Sequence, residues 1–168
     1  ELYSGASVPF KYKGASQTSI VTGNDSTFAG AGNWNMAYLS GSDVNSTVSG
    51  KMYLLGNGSS DVTFIASKLT IGKHYRYSLK ARLRSGASTA IRIGGPVSVA
   101  GHYSEFTPTG TESTFTGEFT AGNAELQIGL PANGFSGVQF EIDNVLVYPC
   151  GAVAEYDGSG VASDKWFD

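Results

Sequence analysis

The chain of 168 residues contains one cysteine, Cys150. An internal disulfide is therefore excluded, as is a thiolate-rich zinc site. A β domain without disulfides points to a chain made in a reducing compartment. Charge is scarce as well. Asp, Glu, Lys and Arg make up 15% of the residues, against about 25% in an average domain. The balance is acidic, −3 at neutral pH, whereas binding to a phosphate backbone needs a basic surface, so nucleic acid is not expected as a partner. No apolar run approaches the ~18 residues of a membrane-spanning helix, so membrane insertion is not expected either. The two histidines stand in no recognisable motif with Ser or Cys. Neither a Gly-x-Ser-x-Gly elbow nor a phosphate-cradling glycine loop is present. Residue 1 is Glu, with no signal-like apolar core after it, so the chain is expected to begin partway along a longer polypeptide or after processing.

What the chain has instead is glycine, 23 residues of it, with abundant Ser and Thr, nine Tyr and nine Phe. This composition suits short strands joined by many turns, with enough apolar and aromatic side chains for one core. The clearest strand is Lys73 to Arg84. Tyr75, Tyr77, Leu79, Ala81 and Leu83 alternate there with Arg76, Ser78, Lys80, Arg82 and Arg84, a period of two that gives one face to a core and the other to solvent or ligand. Ala124, Leu126, Ile128 and Leu130 repeat the pattern, and Val62, Phe64 and Ala66 form a shorter version. Ile91 and Ile93 flank Arg92, and strands are expected over Thr47–Leu55 and Thr114–Phe119. In the last strand, Val138, Phe140 and Ile142 share one parity, while Val145 and Val147 take the other. One extra residue near Asp143 and Asn144, a bulge, restores both halves to a single core face. Turn signals such as Gly56-Asn57-Gly58 and Gly94-Gly95-Pro96 separate the strands, and no segment reads as a helix of useful length. The expected fold is all-β, a jelly-roll sandwich of two antiparallel sheets.

Arg76, Lys80, Arg82 and Arg84 fall on one strand face and are four of only eleven cations. Arg92 joins them if the next strand lies alongside. Such a face can read an acidic surface polysaccharide through bidentate contacts, or can be an ordinary solvated face or a subunit contact. Tyr103, beside His102, follows the Gly94-Gly95-Pro96 turn, and loops at one end of a sandwich are frequent binding surfaces. Trp34 is the most conspicuous aromatic of the central region. It can stack on a sugar ring or close the sandwich edge beside Phe28. Tyr38 and Tyr53 can line a concave face or fill the core. The candidate carbohydrate-binding residues are therefore Arg82, Arg84, Arg92 and Tyr103, with Trp34 as an outside choice.

Three stretches, in order, resemble one known pattern. Asn24-Asp25-Ser26-Thr27-Phe28 followed by Gly32-Asn33-Trp34 is similar to the opening N-x-x-F-E … G-W of jelly-roll carbohydrate-binding modules. Leu69-Thr70-Ile71-Gly72-Lys73-His74-Tyr75 resembles the L-T-x-G-x-x-Y that leads into the family's long central strand. Phe140-Glu141-Ile142-Asp143-Asn144-Val145 resembles the closing F-x-I-D-D-V. The flanks, Lys13-Gly14-Ala15-Ser16-Gln17-Thr18 and Gly158-Ser159-Gly160-Val161 to Asp164-Lys165-Trp166-Phe167-Asp168, look like linkers of bacteriophage tail-fibre and tail-spike proteins. The resemblance implies a fibre linker over 1–19, a sandwich module over 20–149 and a second linker over 150–168. It also implies a virion location, other fibre protomers as partners in a homotrimer, and host cell-surface polysaccharide as the ligand. No coiled-coil heptads are present to enforce a trimer. The family often carries a structural calcium near the opening motif and the closing Asp. Asp143 matches the latter. The expected Glu after Phe is Ala29 here, with Asp25 as a nearby substitute carboxylate. The expected function is non-catalytic glycan binding in host attachment. The alternatives are a fibre spacer or trimerising domain without a ligand and, further off, a depolymerase or esterase acting on surface polysaccharide, which would need paired titratable groups in a cleft.

Overall fold

A computed structural model of the chain describes residues 18–30, 32–35, 47–48, 50–56, 62–130 and 137–150. One turn of helix, α1 (Asn24–Thr27), precedes nine strands: β1 (Thr47–Val48), β2 (Lys51–Leu55), β3 (Val62–Ile65), β4 (His74–Ser85), β5 (Ile91–Gly94), β6 (Tyr103–Phe106), β7 (Ser113–Thr120), β8 (Leu126–Gly129) and β9 (Gln139–Cys150). They form a five-stranded sheet of order β1-β2-β9-β4-β7 and a four-stranded sheet of order β3-β8-β5-β6. Every pairing is antiparallel. From β6 onward the chain crosses between the sheets at each connection, β7 and β9 joining the larger and β8 the smaller. The result is an all-β jelly-roll sandwich.

The alternation in β4 decides how it lies. Tyr75, Tyr77, Leu79 and Ala81 are buried, while the residues between them stay partly exposed. Opposite them, Ile91 and Ile93 of β5 and Leu126 and Ile128 of β8 are buried on the inner face of the smaller sheet. Each such side chain contributes roughly 1.5–3 kcal/mol on leaving water. Gly117 of β7 faces Tyr77 in register. A Cβ there would come within 2.8 Å of the Tyr77 ring, so only glycine leaves that ring its place.

The bulge expected in the closing strand is present. Lys80 pairs with Asp143 and Ser78 with Leu146, so two residues of β9 oppose one of β4. Asn144 takes φ 52°, a left-handed conformation Asn tolerates better than most residues. Its amide donates to Asp143 Oδ1 at 2.7 Å. Ile142 and Val145, on either side, are both buried. A second register shift lies between Leu83 and Ser85 and makes Arg84 the extra residue of β4. The parity read from Val62, Phe64 and Ala66 is corrected at its described end. Ile65 is buried against the core and Ala66 is exposed, because Ile65 stands in register with the buried Leu126.

The expected linkers lie outside the described residues, apart from Thr18, Ser19 and Cys150, as do Tyr38, Trp166 and Phe167. Ser19 is already tied to β9. Its Oγ accepts from the Val147 amide at 3.0 Å, and the Ile20 amide donates to the Val147 carbonyl at 2.8 Å.

Candidate functional site

With one side of β4 spent on the core, the other side must face outward, and the neighbouring strands supply its surroundings. Cross-strand partners align Arg76 with Tyr148 and Glu118, Ser78 with Leu146 and Thr116, Lys80 with Asp143 and Thr114, and Arg82 with Glu141. Glu141 is in turn the partner of Tyr53 on β2. The outer face of the five-stranded sheet is therefore a patchwork of cations, carboxylates, hydroxyls and two tyrosines.

Its densest part surrounds Glu141. This residue is only 4% exposed, and a buried carboxylate must be paired to stay charged. Arg82 Nε donates to Glu141 Oε2 at 2.5 Å. Lys51 Nζ lies 3.7 Å from the same oxygen, and Arg84 Nε 3.8 Å from Oε1. The Arg82 hydrogen bond and charge, helped by Lys51 and Arg84, outweigh burial and hold the Glu141 carboxyl below the usual range. Lys51 also donates to Glu112 at 2.5 Å. That bond is the main cause of the lowered Glu112 pKa and the raised Lys51 pKa. Lys80 approaches Glu112 only to 3.9 Å. The Arg84 guanidinium lies 4.9 Å over the Tyr53 ring, a geometry in which the ring attracts the cation.

Along the same face, Arg76 lies 5.3 Å over the Tyr148 ring. Arg76, Ser78, Thr116, Glu118 and Tyr148, with Tyr77 and Gly117, line a recess of about 560 Å³. At its edge His74 Nε2 is 3.0 Å from Glu118 Oε2.

The five residues proposed for sugar contact do not form one site. Arg82 and Arg84 share the face just described. Arg92 and Tyr103 belong to the four-stranded sheet, where β5 pairs with β6 and β8 and not with β4. Arg92 Nε donates to Glu105 at 2.7 Å and Nη1 to the Val97 carbonyl at 3.2 Å, and its guanidinium lies 4.2 Å over Tyr103. Trp34 is 8% exposed. Its ring packs at 6.0 Å on Phe28, and Nε1 donates to the Asp25 carbonyl at 2.8 Å, so the ring belongs to the core. Glu141, Lys51 and Tyr148 were not singled out from sequence. The signal for Glu141 was its outward position between Phe140 and Ile142, an acid set between two core residues.

The carboxylates considered for calcium are otherwise engaged. Asp25 is buried, and its Oδ1 accepts from the Asn33 amide at 2.5 Å. Its Oδ2 accepts from Asn33 Nδ2 at 2.9 Å and lies 3.5 Å from Lys68 Nζ. Burial opposes its charge, but the Asn33 N–H groups and then Lys68 outweigh it and leave the pKa lowered. Lys68 Nζ also reaches the Ile20 carbonyl at 3.5 Å. An ammonium thus already sits against one carboxylate and one carbonyl, which is where a metal would need oxygen ligands without a competing cation. Asp143 Oδ1 holds the bulge amide. Among the described residues no three His, Cys, Asp or Glu cluster as a metal site. With the Lys68 ammonium against it, Asp25 does not fit a calcium cage.

No protein-family model matches the chain, and no curated protein matches it. Among solved structures, the chain is similar to the N-terminal cellulose-binding domain of Cellulomonas fimi β-1,4-glucanase C, at 17% identity and a TM-score of 0.47, covering 79% of this chain and 93% of that one. A second similar structure is the family 11 carbohydrate-binding module from Clostridium thermocellum in complex with a β-1,3-1,4-mixed-linked tetrasaccharide, at 17% identity and a TM-score of 0.47, over 75% of this chain and 93% of that one. A third joins a family 22 carbohydrate-binding module to the family 10 hydrolase module of a Clostridium thermocellum endo-1,4-β-D-xylanase, complexed with xylohexaose. There identity is 15% and the TM-score 0.40, and the match covers 61% of this chain but only 22% of that one. These likenesses concern the path of the chain and assign no residue a role.

Proposed function

We propose that the chain is a non-catalytic carbohydrate-binding and adhesion module of a bacteriophage tail fibre, contacting host surface glycan with the outer face of its five-stranded sheet. The observation that carries the binding reading is the run Arg76, Ser78, Lys80, Arg82 and Arg84 along that face. At a rise of ~3.3 Å per residue it extends roughly 26 Å, with Tyr148 beside one end and Tyr53 beside the other. Sugars offer hydroxyls in many directions and an apolar ring face. Guanidinium, ammonium and hydroxyl groups answer the first, and tyrosine rings the second. A polymer can lie along the strand and meet all of them.

The non-catalytic half of the reading has its own support. Hydrolysis of a glycosidic bond by a carboxyl pair needs one acid with a raised pKa. Glu141 and Glu112, the carboxylates among the cations, are both shifted down, which suits holding cations in place. The fibre context, the homotrimer and the virion location rest on the resemblance of the flanking segments. In a trimer, three such faces would act together and raise avidity. The test is binding of the fragment, as a defined oligomer, to an array of bacterial surface glycans. Saturable binding to a few related glycans, with no product released, supports the reading. No binding by a well-folded oligomer turns it to a spacer.

A further inference from the structure

The cations around Glu141 outnumber what that carboxylate can satisfy. Arg82 takes its Oε2, and Lys51 is claimed by Glu112. Among the described residues, Arg84 has no carboxylate closer than 3.8 Å and Lys80 none closer than 3.9 Å. Asp143, the register partner of Lys80, holds the Asn144 amide. In the layer offered to solvent the Arg84 side chain is 49% and the Lys80 side chain 45% exposed, with Glu112 at 36% beside Lys80 and Asp143 partly exposed, while Glu141 lies beneath. The Arg84 head is also held in advance. Its bulge aims it, the Tyr53 ring supports one side, and Glu141 draws it from below. A guanidinium so ordered loses little freedom when it binds, and its planar fork matches a planar carboxylate.

Resting on the glycan reading of this face, we propose that Arg84, Lys80 and the outer edge of Arg82 form a carboxylate subsite, and that the polysaccharide bound here is acidic, carrying uronic-acid groups. An anion placed over these three heads neutralises the one positive charge by which Lys51, Lys80, Arg82 and Arg84 exceed Glu112, Glu141 and Asp143. A neutral glycan can accept hydrogen bonds from the same heads but neutralises none of that charge.

The probes are polygalacturonate and its fully methyl-esterified form, which share a backbone and differ in charge, with alginate and hyaluronan as further carboxylated polymers. Affinities are measured by titration calorimetry at low and high salt. At least one carboxylated polymer should bind, and polygalacturonate should exceed its ester by about tenfold or more, as expected for charge-assisted bidentate contacts. Arg84→Gln combined with Lys80→Gln should remove most of that preference without moving the melting temperature. Arg84→Lys, which keeps the charge and loses the fork, should remove part of it, and Lys73→Gln should leave it intact. Equal binding of the acid and its ester overturns the proposal and leaves the glycan reading standing. So does binding to neutral array glycans without any to the carboxylated polymers. Failure to bind every polymer and every array glycan overturns both.

Discussion

Arg84 and Arg92 each lie over a tyrosine ring on an outer sheet face, and they are in opposite situations. Arg92 lies 4.2 Å over Tyr103, pairs with Glu105 at 2.7 Å and bonds the Val97 carbonyl, and its side chain is 20% exposed. Its donors are used in fastening β6 and the turn after β5 to the smaller sheet. Arg84 lies 4.9 Å over Tyr53 with its nearest carboxylate at 3.8 Å and half its surface open. The same pair of residue types is a structural clasp in one sheet and an accessible cation in the other. What separates them is whether a carboxylate on the adjacent strand and a carbonyl of a neighbouring turn are close enough to use the guanidinium.

The largest effect should come from a residue wholly on the spent side. Trp34→Ala removes a buried ring and orphans the Asp25 carbonyl, at a cost of about 3–5 kcal/mol in denaturant unfolding. Glycan affinity of the remaining folded protein should not change; a loss would break the division between core and binding face. Arg92→Gln should lower stability by about 1–2 kcal/mol, through its lost bonds to Glu105 and Val97, with binding unaffected. Acid titration should show a smaller effect. Glu141, Glu112 and Asp25 are all held below their ordinary values of 4.5 and 3.8. A depressed carboxylate contributes stability that is fully present above its unfolded value and is lost as pH falls through the folded one. Unfolding free energy should therefore be flat above about pH 5 and fall below about pH 4. Glu141→Gln should make that fall shallower. The smallest effect concerns the metal. Calcium or a chelator should move the melting temperature by less than about 1 °C, because a ligand stabilises only what binds it and Lys68 already faces Asp25. A calcium-dependent rise would overturn that assignment.

Much of the sandwich was legible because it depends on local alternation. The twelve residues of β4 declare their faces, and the switch of parity between Ile142 and Val145 announces the bulge at Asn144. The bulge at Arg84 carries no such mark, since no run of apolar residues follows it. At the end of β3 the pattern misled, because Ala66, exposed in the following turn, looked like a core position while Ile65 is the buried one. The site was legible only in part. Arg82 and Arg84 stood out as cations on one strand, but whether Arg92 joins them depends on strand order, a non-local property: β5 pairs with β8 in the other sheet. Trp34 looked like a sugar platform or a sandwich edge, and its bond to the Asp25 carbonyl, nine residues back, is what decides. Glu141 went unnoticed because its partners come from two other strands, Lys51 from β2 and Arg82 and Arg84 from β4, on either side of its own place in β9.

The most direct measurement compares Arg84→Gln with Arg92→Gln in binding to the glycan that ranks highest on the array. The account predicts a loss of about tenfold or more for the first, as expected when a charge-assisted contact is removed, with an unchanged melting temperature. It predicts unchanged affinity and a lowered melting temperature for the second. Loss of binding in Arg92→Gln with full binding in Arg84→Gln would contradict it and move the site to the four-stranded sheet.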